Sequence, residues 1–107
     1  MKKTDLSNAT FIVPIRLESN DRLRNVITSL CYILYNFKTN VIVHEVDSES
    51  VFKETALPQI TEFLDGDTTG LNHVFEKSNS SAFHRQRVLN DMLMSSETKV
   101  VVNYDCD

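Results

Sequence analysis

Glycine, proline, cysteine and tryptophan are all scarce in this chain of 107 residues, which has two of each of the first three and none of the last. Both glycines, Gly66 and Gly70, fall in one loop. That excludes a GxGxxG dinucleotide turn and a GxxxxGK[ST] phosphate loop, since both need glycine where backbone approaches phosphate. A bound nucleotide would be held by side chains and helix N-termini instead. Cys31 and Cys106 suggest no disulfide framework by number or spacing, and they fit a compartment where thiols stay reduced. The longest nearly apolar stretch, residues 30–37, is far shorter than the roughly 20 residues that cross a bilayer. The opening MKKTDLSNAT has no apolar segment behind its lysines, so it is not a secretory signal. A cytoplasmic chain with no membrane partner is the expectation.

Positive charge is also short: 11 Lys and Arg stand against 15 Asp and Glu, a formal charge of −4. Without a basic run, nucleic acid and anionic membranes are poor partners, because the surface that neutralises phosphates is missing. A hydrophobic content of 41% is enough for one core, so residues 1–107 form a single domain.

What is present alternates between short β-rich and longer helical runs. Residues 10–16 (TFIVPIR) form a compact β-branched strand. Over 20–37 the apolar positions Leu23, Val26, Ile27, Leu30, Leu34 and Phe37 recur at helical spacing, with Ser19 or Asn20 as cap. Tyr32, Tyr35 and Phe37 are expected to pack that helix on a sheet. Residues 40–45 (NVIVHE) form a second strand. The helical run 50–64 contains Pro58, which predicts a break, a kink or two short helices. DGDTTG, at 65–70, is the clearest turn, and 71–76 (LNHVFE) a weaker third strand. A helix over 82–94 and a fourth strand over 99–103 complete a βαβαβαβ order, the pattern of an open parallel sheet with helices on its faces.

In such sheets ligands sit beyond the carboxyl ends of the strands. The polar groups cluster there: Arg16 and Glu18 after the first strand, Glu45 and Asp47 after the second, Asp105 and Asp107 after the fourth. The helix before the fourth strand starts with His84, Arg85 and Arg87. Asp105 and Asp107, two apart after a Val-Val-Val strand, can reach one hard cation, Mg²⁺ or Mn²⁺. Arg16, whose exit from the strand is stiffened by Pro14, either aims a planar guanidinium at a nucleotide or pairs with Glu18 or Asp21. Glu45 and Asp47 either accept from a base or ribose, or Asp47 or Ser48 caps the next helix. His73 and His84 receive no role.

Together TFIVPIR, VIVHEVD, FHRQRVLN and VVVNYDCD resemble the nucleotide-sugar half of a GT-A, Rossmann-like glycosyltransferase, nearest in pattern to the β-1,4-galactosyltransferase-like family. That family carries Pro-Phe-Arg after its first strand, a Phe-Asn-Arg…Leu-Leu-Asn helix, and a strand ending in Asp-x-Asp. The counterparts here are Pro14-Ile15-Arg16, Phe83-His84-Arg85…Val88-Leu89-Asn90 and Asp105-Cys106-Asp107. The resemblance implies a UDP-sugar donor, with Pro14, Arg16, Glu45, Arg85 and Asp105 at the nucleotide and Asp107, with Asp105, on Mn²⁺ or Mg²⁺. It implies sugar transfer to an acceptor hydroxyl on a glycan or protein, in a chain truncated before its acceptor half and its base. Residues 48–72 carry none of it, and Glu18 and His84 depart from the family's pattern. Two other readings stand beside it: a non-catalytic α/β interaction domain whose exposed sheet surface a partner or, by self-association, a second copy covers, and a Mg²⁺-dependent haloacid-dehalogenase-like phosphatase.

Overall fold

The computed structural model describes residues 3–80, 85–95 and 98–104. The three-and-four spacing from Leu23 to Leu34 becomes α1, Asn20–Asn36. Ser19 caps it, its Oγ accepting the Arg22 amide at 3.2 Å and so satisfying one donor that the first turn leaves unpaired. The helix passes directly into β2, Phe37–Asp47, so Phe37 begins a strand instead of ending a helix. Tyr32 meets the sheet only edge-on, at Phe37, and Tyr35 meets Phe63 of the second helical segment instead of the sheet. The two tyrosines are 60% and 49% exposed, because they stand off the inward stripe of Val26, Leu30, Ile33 and Leu34.

The first strand, β1, runs Thr4–Ile15 and starts well before its apolar run. Its register against β2 shifts between Asp5 and Thr10. There, β2 side chains replace the broken ladder: Thr39 Oγ1 donates to the carbonyls of Leu6 and Ala9, and Asn40 Nδ2 to those of Ser7 and Ala9. A strand start held by polar side chains leaves no period-two hydrophobic signal.

Pro58 lacks an amide, and its ring crowds the carbonyl four residues back. The chain answers with a π-helical turn, Phe52–Ala56, followed by α2, Leu57–Phe63. Pro58 then sits in the first turn of α2, where no amide is needed. After β3, Leu71–Lys77, come α3, Arg85–Ser95, and β4, Val100–Asn103.

All pairings are parallel and the strand order is β3-β2-β1-β4. The first two crossovers step in one direction across the sheet and the third steps back past β1. Right-handed crossovers therefore put α1 and α2 on one face and α3 on the other. Two cores follow. Val13, Val41 and Val43 meet Leu30, Leu34, Phe52 and Ile60 on the first face; Ile12 and Val46 meet Val88, Leu89 and Met92 on the second. Among the described residues no helix is long and apolar enough to cross a membrane.

The DGDTTG turn returns the chain to the amino edge. Gly70 has φ +90°, its carbonyl accepts the Val41 amide at 2.8 Å, and a Cβ there would lie 2.1 Å from the Thr39 carbonyl oxygen. Gly66 also has positive φ, yet a Cβ there meets nothing. We predict that Gly70→Ala destabilises the fold by about 2–4 kcal/mol, and Gly66→Ala by about 1 kcal/mol. Urea denaturation of both variants checks the difference, and equal losses would refute the backbone clash.

Candidate functional site

The reversal of strand order across the sheet falls between β1 and β4, and the carboxyl edge there is where open parallel sheets place ligands. Pro14 shapes that edge. The Tyr104 amide donates to the Ile12 carbonyl at 3.1 Å, continuing the β1–β4 ladder past its last pair, Ile12 with Asn103. The next bond would need an amide from position 14 to the Tyr104 carbonyl, and proline has none. The ladder ends at Tyr104, immediately before Asp105 in sequence.

Arg16 follows β1 and is buried. Its Nε donates to the Val46 carbonyl at 2.8 Å and its Nη1 to the Ser80 carbonyl at 2.9 Å. The guanidinium thus braces the end of β1 against the end of β2 and the segment after β3. Both of these acceptors are backbone carbonyls. The surface pairing with Glu18 or Asp21 is not what forms; Glu18 lies 3.7 Å from Arg22 instead.

Glu45, at the carboxyl end of β2, is fully buried. Its Oε1 accepts from Ser50 Oγ at 2.7 Å and lies 3.1 Å from His73 Nε2; its Oε2 accepts the Phe52 amide at 3.1 Å. Ser50 Oγ in turn accepts the Lys53 amide. The carboxylate therefore caps the π-turn, a role open in sequence to Asp47 or Ser48, whereas Asp47 accepts only locally, from the Ser48 amide at 2.7 Å. A base or ribose would reach Glu45 only by displacing one of these donors. His73, given no role from sequence, orients Glu45 and stacks on Phe52 with ring centroids 4.6 Å apart. The signal for it is positional: Val43 pairs with His73, so His73 stands on the face that also carries Glu45.

Arg85 opens α3, but its side chain lies outside the described residues, as do His84, Asp105 and Asp107. Among the described residues no three His, Cys, Asp or Glu side chains gather as a metal site. Arg87 is engaged, with Nη2 2.7 Å from Glu76 Oε2 and Nη1 3.0 Å from Asp91 Oδ2, while His44 Nε2 lies 3.4 Å from Glu76 Oε1. This network ties α3 to β3 and, through His44, to β2. A cleft of about 510 Å³ lined by Lys3, Asp5, Lys38 and Asp67 belongs to the opposite, amino edge. The β1–β4 edge thus combines Arg16, the broken ladder at Pro14 and the sequence start of Asp105 and Asp107. Glu45 braces the neighbouring strand end, and the Arg87 network lies apart.

No family model, curated protein or solved structure matches the chain.

Two predictions follow from these contacts. Glu45→Ala leaves the Ser50 hydroxyl, the Phe52 amide and His73 without their acceptor, and should cost about 2–4 kcal/mol in urea denaturation at neutral pH. A loss near zero would show that water replaces the carboxylate. Separately, the hydrogen bond from Arg87, together with its charge, holds the Glu76 carboxyl below its ordinary value of 4.5. The pair then stabilises the fold above that pH, and the gain fades as the pH falls through the lowered value. Because the pair is exposed, the effect is below about 1 kcal/mol. Comparing wild type with Glu76→Gln across that acid range should show the two stabilities converging at low pH.

Proposed function

We propose that the carboxyl edge between β1 and β4 binds the diphosphate of a UDP-sugar through a divalent cation, as the donor site of a glycosyltransferase of the GT-A kind. The observation that carries this reading is the strand order, which reverses between the strand that Arg16 follows and the strand leading to Asp105 and Asp107. The Rossmann-like arrangement of four parallel strands is compatible with the fold that the sequence resemblance implies.

Each residue then has a definite task. Asp105 and Asp107 offer hard oxygens two positions apart, the ligand class that Mg²⁺ and Mn²⁺ take beside substrate phosphates. When bound, the cation supplies charge compensation for the leaving diphosphate. Arg16 keeps a positive charge at the strand end and holds the edge in shape through Val46 and Ser80. Arg85, at the start of α3, adds a second cation at a helix N-terminus, where an anion is also favoured by the dipole. Pro14, lacking an amide, ends the β1–β4 ladder at Tyr104. Glu45 acts one step back, as a brace for the edge.

Calorimetric titration of the chain with UDP tests the reading. Binding should require Mn²⁺ and weaken about tenfold or more, roughly 1.4 kcal/mol, in Asp107→Ala and in Arg85→Ala. Asp67→Ala, at the opposite edge, should leave it unchanged. An absence of UDP binding in the presence of Mn²⁺ would overturn the proposal.

A further inference from the structure

We propose that the seam where α1 and α2 end binds a small organic cation with an apolar body, of the arylalkylammonium class. Three large apolar side chains that stand in solvent, Tyr32, Tyr35 and Phe63, line one cavity of about 390 Å³, together with Ile27 and the buried Cys31. That volume is in the range of small-molecule sites. The rings are held in place. Tyr35 meets Phe63 edge-to-face across the seam with centroids 5.9 Å apart, and Tyr32 meets Phe37 in the same way at 6.2 Å. Walls fixed by such contacts present their π faces to a ligand at little further ordering cost.

Charge selects the occupant. Tyr35 and Phe63 also line an adjoining cavity of about 190 Å³, whose other walls are Leu64, Asp65, Asp67 and Lys3. Both helices end here, and neither carries a basic residue in its last turn to offset the partial negative charge of its carbonyl end. Asp65, just past α2, adds a full negative charge at that end. Its φ of 53° is one that glycine or asparagine takes more readily, so neither the backbone nor the dipole accounts for an aspartate. Among the described residues nothing donates to or pairs with its carboxylate. Asp67 is engaged instead. Its Oδ1 accepts the Thr69 hydroxyl at 2.7 Å and the Thr69 amide at 3.2 Å, which, with the charge of Lys3, hold its carboxyl below the ordinary value. Lys3 is thus offset by Asp67, and Asp65 stays uncompensated beside the rings. An ammonium group is held by π faces together with a carboxylate. A metal ion needs more oxygen ligands than this one open carboxylate supplies. The ammonium therefore belongs at Tyr35, Phe63 and Asp65, and the apolar body in the larger cavity.

The site adjoins the 65–70 turn, at the opposite end of the sheet from the proposed donor site, and its test needs no nucleotide. Amide resonances of the full chain, titrated with benzyltrimethylammonium, should shift at Tyr32, Tyr35, Phe63 and Asp65 and saturate by about 10 mM. Benzyl alcohol, which lacks the charge, and phenylacetate, which reverses it, should bind about fivefold more weakly or worse. Phe63→Leu keeps an apolar side chain but loses the π face, and should weaken binding about threefold or more. Phe75→Leu, at an exposed ring on β3, should leave it unchanged. Asp65→Asn should weaken binding about threefold while raising the urea midpoint, because asparagine suits this φ and takes the charge from the helix end. A midpoint that falls would assign Asp65 to the fold and count against the site. If a variant fails to fold, the three probes on the unaltered chain decide alone. Equal binding of the three, no saturable shift, or undiminished binding in folded Phe63→Leu or Asp65→Asn would overturn the proposal. So would shifts at the same residues on concentrating the protein alone, which would put a second copy in the groove.

Discussion

Burying an ionisable carboxylate in a sheet costs several kcal/mol unless donors meet its lone pairs, and Glu45 has none of its surface in water. Its donors come from the turn after β2, through Ser50 and the Phe52 amide, and from β3, through His73. The exit of β2, the π-turn and the neighbouring strand must therefore be in place together. This is a strong reason for the carboxyl edge to be rigid. Arg16 repeats the device one strand over, holding the carbonyls of Val46 and Ser80 and so binding β1 to β2 and to the segment leading toward α3.

A rigid edge is what a ligand site needs, because reacting groups placed on loops are positioned by the elements that carry those loops. Here Glu45 and His73 serve as brace alone, whereas Arg16 both braces the edge and brings charge to it. Glu45 and His73 spend their hydrogen-bonding capacity on the protein, and Arg87 spends its charge on Glu76 and Asp91. The charge at the β1–β4 boundary is carried by Arg16 and, in sequence, by the carboxylates after β4. Pro14 matters for a subtractive reason: an amide at that position would let the ladder run on past Tyr104.

Much of the fold is legible in the sequence because apolar spacing decides it. The helical stripe from Leu23 to Leu34 and the β-branched runs around Ile12 and Val43 appear where their periodicity puts them. Where polar groups decide, the pattern is silent. The start of β1 rests on Thr39 and Asn40 side chains, and the passage of α1 straight into β2 at Phe37 leaves no turn residue to mark it. The outward tyrosines mislead for another reason: aromatic residues on a helix suggest burial, but Tyr32 and Tyr35 lie off its inward stripe. At the candidate site, the strand-end positions of Arg16 and Glu45 are readable, whereas their partners are not. A carbonyl acceptor such as Ser80 has no sequence signature, and His73 is recognisable only once Val43 is known to lie beside it.

A divalent cation bound as proposed, at the carboxyl edge between β1 and β4, would lie beside the amides that end these strands. Paramagnetic broadening of backbone amide resonances tests it most directly, with Mn²⁺ added in the presence of UDP. Amides at Leu17, Asn103 and Tyr104 should broaden first, with the acidic 65–70 turn at the opposite edge unaffected. Broadening centred on Asp65 and Asp67 instead, or spread evenly over the chain, would contradict the account.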